Sequence, residues 1–207
     1  MNLLIVAATE FEIEPFLKKK NKTEVLITGV GIPATVFHLT GKLLEKKYEF
    51  VIQAGIAGKF NRQFDLAEVV SVKEDAFADL GIEENGSFYS LFEKEFIGAN
   101  DFPYTDGWLV NNSSFLKKID LSTAKGITVN KVGDNDLQNR MMKGKYAADI
   151  ESMEGAAFHY VCMQQEVNFL QLRSISNEVG ERNKSKWKLK AAIENLNTEL
   201  LKIIKNI

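Results

Sequence analysis

The chain has a single cysteine, Cys162, so no intramolecular disulfide can form and a disulfide-stapled secreted fold is excluded. Histidine is almost as scarce. His38 and His159 lie far apart, each within a helical pattern and without a ligand-spaced partner, which argues against a histidine metal centre. No long hydrophobic run exists. "LLIVAA" near the start has no basic stretch before it and falls far short of the roughly 20 residues that span a bilayer, so neither a signal peptide nor a membrane anchor is expected. Charge of one sign is also missing: 26 basic residues face 28 acidic ones, leaving −2 and no reason to expect nucleic acid or a membrane surface as partner. Lys18-Lys19-Lys20 and Lys46-Lys47 close helical patterns and read as solvated helix ends. The expected compartment is the cytoplasm, with Cys162 a small buried hydrophobe rather than a nucleophile. GxGxxG, GxxxxGK[ST] and GxSxG are all absent, so dinucleotide, P-loop and serine-hydrolase chemistry lack their signatures.

What is present is alternation. "NLLIVAA" (2–8), "EVLIT" (24–28) and "FVIQA" (50–54) are short apolar runs of strand length, separated by helical patterns over 10–20 and from Pro33 to about Lys46. "GIAG" reads as the break that ends the third strand. Near-continuous apolar strands between helices indicate a largely parallel sheet covered on both faces. From about 66 to 110 a strand runs into a loop-rich aromatic region, the expected place for a substrate lid. Regularity returns with a strand over 124–130, helices over 136–146 and from near Ser152, a strand over 168–176 and an amphipathic helix over 187–205. At 207 residues with 45% apolar content, this is one well-buried α/β domain.

In such sheets ligands bind beyond the carboxyl ends of the strands. That rule selects Thr9–Glu12, Gly29–Gly31, Gly55–Gly58, the loop after Asn130, and Asn177 onward. Taken singly, each has an ordinary explanation: a solvated glutamate, turn glycines, a capping asparagine. "DIESMEGAAFHYV" (149–161) adds Glu151 and Glu154 at a helix start, where a carboxylate either suits the helix dipole or points toward a ligand. Together these sites offer carboxylates, an amide and backbone groups. Such a set suits glycosyl transfer from a nucleoside through a cationic, oxocarbenium-like transition state.

The segments "IVAATEFEIEP", "TGVG", "AGIAGKF", "SMEGAA" (152–157) and "LRSISN" (172–177) resemble the nucleoside phosphorylase and nucleosidase superfamily nearly end to end. "DLG" at 79–81, "TVN" at 128–130, "ESMEGAAFHYVC" and "RSISNEVGER…W" resemble its futalosine hydrolase family. The resemblance implies a three-layer αβα sandwich around a mostly parallel, mixed sheet, with no metal and no cofactor. The partners it implies are a small nucleoside substrate and other copies of the chain, as a homodimer or larger homo-oligomer. It gives Glu154 the ribose hydroxyls, sets Met153 under the sugar, makes Glu12 the base that activates water, and places Gly55 and Ile56 against the substrate. Glu151 becomes a structural or supporting residue. Arg173 is expected to pair with a carboxylate rather than with a ligand.

Asn177 stands where adenine-specific members carry aspartate. An amide NH₂ can donate to N7 and O6 of hypoxanthine, so a 6-oxopurine is favoured, with the leaving-group proton coming from water. Phosphorylases of the superfamily hold phosphate with an arginine and a serine, and Gln53 and Ile56 stand in those positions here. Water is therefore the expected nucleophile, unless Lys59 replaces the missing charge. For a benzoate-bearing 5′ tail, Arg62 and Arg182 are candidate cations. The 88–108 region supplies Phe88, Tyr89, Phe92, Phe96, Phe102, Tyr104 and Trp108, most of them expected in the core or an oligomer interface, and none is assigned to the tail. The rival expectations are another purine nucleosidase or phosphorylase acting on inosine or methylthioadenosine, and a nucleoside-binding protein without turnover.

Overall fold

Alternation of side chains along the first strand decides the layering. In β1 (Leu3–Ala7), Leu4 and Val6 face one side and Ile5 and Ala7 the other, as strand geometry requires. Leu4 and Val6 pack with Leu39 and Leu43 of α2 (Ile32–Glu45) and with Phe158, Val161 and Cys162. Ile5 and Ala7 pack with Leu196, Leu200 and Ile203 from the C-terminal helix. The computed structural model describes residues 2–19, 22–134 and 136–207, so Lys20 of the first lysine run and Asn135 of the loop after Asn130 lie outside the described residues.

After β1 come a 3₁₀ turn (Glu10–Ile13), α1 (Glu14–Leu17), β2 (Glu24–Ile27) and α2. Next are β3 (Phe50–Lys59), β4 (Val69–Phe77), the hairpin β5 (Gly81–Glu84) and β6 (Ser87–Ser90), β7 (Leu109–Val110) and β8 (Thr123–Thr128). The chain closes with α3 (Asp136–Tyr146), β9 (Ile150–Ser152), α4 (Gly155–Gln164), β10 (Asn168–Glu178) and α5 (Leu189–Asn206). The main sheet is eight-stranded in the order β10-β4-β8-β9-β3-β1-β2, with β7 beside β4. It is mixed and mostly parallel, with α2 and α4 on one face and α5 on the other, so the expected αβα arrangement holds.

Two elements differ from expectation. The third strand does not break at "GIAG". β3 continues to Lys59, pairing with β1 through Gln53 and then with β9 at Gly58 and Lys59, while β10 follows it along its whole length. The sheet thereby closes on itself around Ala57, Val70, Val72, Ala124, Ile150 and Ile175. The helix expected from Ser152 begins instead at Gly155, because Ile150–Ser152 is taken up as a strand between β8 and β3. Lys46, expected as a solvated helix end, joins Lys42 in ion pairs with Glu24 at 2.7 and 2.5 Å. Among the described residues no helix is long and apolar enough to cross a membrane, and no His, Cys, Asp and Glu side chains group to hold a metal ion.

Candidate active site

The strand-end segments singled out from the sequence converge. Thr9, Glu12, Val30, Ile56, Gly58, Val132, Gly133, Met153, Glu154 and Asn177 line one cleft of about 480 Å³ at the carboxyl edge of the sheet. Glu12 is aimed locally. Thr9 caps the 3₁₀ turn, its backbone N–H and hydroxyl donating to Glu12 Oε2 at 3.1 and 3.0 Å, in a reciprocal capping box. The Ile56 N–H donates to Oε1 at 3.0 Å, which leaves that oxygen a free lone pair. Glu12 is only 7% exposed, and its burial raises the carboxyl above the ordinary value. Arg173 and the Ile56 N–H oppose the rise; Glu154 adds to it.

Glu154 answers the question raised by its place at a helix start. It is the N-cap residue of α4, yet its side chain makes no capping bond. Ser152 Oγ accepts from the Gly155 N–H at 3.2 Å and Thr128 Oγ1 from the Ala156 N–H at 2.7 Å, so the helix end is satisfied without it. Freed from that duty, Glu154 crosses to β2's loop, where the Gly31 N–H donates to Oε1 at 3.0 Å. Gly155 is required behind it. A side chain there would collide with Asp75 and Gln171, which are themselves joined by a bond from Gln171 Nε2 to Asp75 Oδ2 at 3.2 Å. Asp75 is a site-supporting residue that sequence reasoning missed. Burial pushes its carboxyl up to about 6, while the Thr128 hydroxyl at 2.9 Å opposes the rise.

Arg173 pairs with a carboxylate, as expected: that of Glu154. It is 1% exposed, with Nη1 3.5 Å from Glu154 Oε2 and 3.3 Å from the Ile56 carbonyl, while Nη2 donates to Gln53 Oε1 at 3.0 Å. Gln53 is thus committed to Arg173, and Ile56 meets the cleft with an apolar side chain. Lys59 gives its Nζ to the Phe64 carbonyl at 2.7 Å, so it does not supply the charge that a phosphate site would need here. Gly55, expected against the substrate, lies behind the cleft wall instead. Its missing side chain leaves the space occupied by the Arg173 guanidinium and the Glu12 carboxyl.

Asn177 is half-buried on the cleft wall. Its Oδ1 accepts from the Ser176 hydroxyl at 2.6 Å and its Nδ2 donates to the Glu178 carbonyl at 2.8 Å. One amide hydrogen is therefore free for a ligand, rather than the pair expected for N7 and O6. The lid expectation fails as well. Among the described residues, none of the aromatics between 88 and 108 lines the cleft; Phe92 and Tyr104 pack on each other, and Trp108 packs on Tyr146. Phe11, Trp187 and Lys184 stand at the cleft instead, together with Arg182, one of the two candidate cations; the last three come from the segment after β10. Arg62 lines a different cavity with Lys59 and Lys143. Asp79 holds the loop after β8 by accepting from the Asn130 N–H at 2.6 Å.

A mixed sheet closed at one end, with buried carboxylates gathered at its carboxyl edge, defines an α/β protein built to hold a small polar ligand. The chain belongs to the phosphorylase superfamily, whose family model matches residues 7–206. It is 30% identical over 174 residues to the futalosine hydrolase of Thermus thermophilus, covering 83% of this chain and 76% of that one. The fold is shared with a Helicobacter pylori MTAN mutant bearing 5′-methylthioadenosine in its active site, at a TM-score of 0.81, 15% identity and 100% and 99% coverage of this chain and that one. It is shared equally with native Helicobacter pylori futalosine hydrolase, at a TM-score of 0.79, 15% identity and coverage of 99% and 97%.

Proposed function

We propose that this protein hydrolyses the N-glycosidic bond of futalosine, releasing hypoxanthine and dehypoxanthine futalosine for menaquinone biosynthesis in the cytoplasm. The observation that carries the reading is the presence of Glu12 and Glu154, both nearly buried, on one cleft, with Arg173 paired to Glu154 and its charge acting on Glu12. Glu154 grips the ribose hydroxyls, with Met153 packed beneath the sugar. Glu12 Oε1 takes a proton from the attacking water as the C1′–N9 bond opens. Both carboxylates stabilise the positive charge that develops on the sugar. Ile56 forms an apolar wall, and Asn177 donates its free N–H to the purine edge. A second copy of the chain completes the assembly, consistent with apolar side chains left bare at the cleft rim (Phe11, Val30) and on α2 (Phe37, Leu44). Sedimentation as a monomer at every concentration would reject that part.

The test is hypoxanthine release from futalosine in phosphate-free buffer, with inosine and methylthioadenosine alongside. Selective release from futalosine is expected. Release only on adding phosphate would replace hydrolysis by phosphorolysis, and no release from any of the three would reject the enzyme reading.

Base preference gives a second expectation. Asn177→Asp should shift the ratio of kcat/KM values toward 6-aminopurine nucleosides by about tenfold to a hundredfold, since a mismatched buried pairing costs roughly 1–3 kcal/mol. An unchanged ratio would reject this account of Asn177.

A further inference from the structure

We propose that Glu151 is the acid that protonates the departing purine, supplying the proton that the amide of Asn177 cannot give. The proposal rests on the nucleosidase reading above and adds a catalytic residue to it. Glu151 pairs with Gly58 across the antiparallel contact of β9 and β3, and Asn177 pairs with Gly58 across the parallel contact of β10 and β3. Directly paired residues point to the same face of a sheet. A side chain on Gly58 would lie 3.3 Å from Asn177 Nδ2, which places the amide over that glycine. Glu151 and Asn177 therefore stand on one face, either side of a residue without a side chain. Their backbones are separated by about two strand spacings, roughly 10 Å. The Val179 side chain also reaches over Gly58, its Cγ2 3.0 Å from where a side chain there would begin, and Glu151, Asn177 and Val179 all line the cleft that would take the purine edge.

The hydrogen-bond inventory calls for a second donor there. Hypoxanthine presents acceptors at N7 and O6, and Asn177 has one N–H to offer. Among the described residues, the Glu151 carboxyl has no hydrogen-bond or ion-pair partner. Burial pushes it up to about 7, so near neutral pH a large fraction carries the proton. Two charged groups act on it: Asp79 raises the value further and Arg182 lowers it. Its other neighbours include two further carboxyl groups. The paired residue on β8 is Ile127, Lys59 on β3 holds the Phe64 carbonyl, and Glu12 and Glu154 line the same cleft.

The step balances without any further reactant. As C1′–N9 breaks, its electron pair enters the purine, and N7 takes the proton from the Glu151 carboxyl. Water adds its oxygen to C1′ and gives a proton to Glu12. Proton exchange with solvent then restores Glu151 as acid and Glu12 as carboxylate. The leaving-group proton thus comes from a side chain, in place of the water expected from the sequence.

The test is kcat and KM for hypoxanthine release by wild type, Glu151→Gln and Glu151→Asp across the neutral range. Wild-type kcat should fall as pH rises through about 7. Glu151→Gln should lower kcat by about a hundredfold or more, leave KM nearly unchanged and lose the alkaline fall. Glu151→Asp should keep the fall and part of the rate, and it carries the test if the glutamine variant does not fold. A glutamine variant with near-wild-type kcat, with the alkaline fall intact, or with its defect in KM alone would overturn the role. If wild type releases no hypoxanthine at all, the nucleosidase reading fails and takes this proposal with it. An active wild type with an insensitive Glu151→Gln removes Glu151 only.

Discussion

Glu12→Gln is expected to lower hydrolysis by about a hundredfold to ten-thousandfold, the range for losing a general base, while nucleoside binding persists. The amide keeps an oxygen that can accept from Ile56 or Thr9, so the pocket wall survives, but it cannot take a proton from water. Stability should move the other way. Burial raises the Glu12 carboxyl above its unfolded value, so the protonated form is favoured in the fold and its contribution is lost as pH rises through the folded value. At neutral pH ionised Glu12 is therefore a stability cost, and the glutamine variant should melt no lower than wild type. The acid limb of the wild-type rate profile should likewise sit above the ordinary glutamate range, because the base works only when ionised. Thermal melts and binding of an unreactive nucleoside check both halves. A variant that loses binding as well as turnover would return Glu12 to a structural role.

Arg173→Met should have the largest effect on the fold itself. The guanidinium is 1% exposed and faces Glu154, 5% exposed, with Glu12, 7% exposed, within its field. Breaking a buried pair by removing one partner costs about 3–5 kcal/mol, since the other charge is left uncompensated. For a domain of this size each kcal/mol moves Tm by about 2–4 °C. The sign with pH follows from what remains. Without the cation the Glu12 carboxyl loses the charge that holds its value down and binds its proton more tightly in the fold, so the deficit should be greatest at high pH and shrink as acid neutralises it. Melting curves at mildly acidic and mildly alkaline pH measure this. Equal deficits at both, or a shift under one degree, would mean that Arg173 contributes packing rather than charge balance. Turnover should be lost at either pH because Glu154 loses one of its two anchors.

The layered fold was legible because its signal is periodic: apolar strands, and an α5 whose Leu196, Leu200 and Ile203 share one face. Glu12 was legible only through the resemblance; read locally it was a solvated glutamate, and the capping box that Thr9 forms with it three residues on went unread. The length of β3 was not legible. Gly55 and Gly58 look like breakers, yet they lie within the strand because Arg173 and Asn177, more than a hundred residues away, need the space. β9 escaped notice because three residues carry no period; their strand state comes entirely from pairing with β3 and β8. The cleft positions of Trp187 and Lys184 depend on where a loop travels after β10, which local chemistry does not encode, whereas Arg182 was one of the two candidate cations. Glu151 was visible as a residue but not as an acid, because burial is a property of the assembled sheet.

Glu12 and Glu154 are also anchored on very different scales of chain length. Thr9 aims the first from three residues away, whereas the second depends on the Gly31 N–H, 123 residues distant in sequence. Contacts of long sequence separation form late and slowly during folding. A chain still lacking β10 can therefore present Glu12 already aimed, but not Glu154 held by Arg173, and on the proposed roles it should turn nothing over. Catalysis in this protein is a stringent clock for the last docking event: recovered activity after refolding should lag recovered secondary structure, and a half-made molecule cannot squander nucleoside.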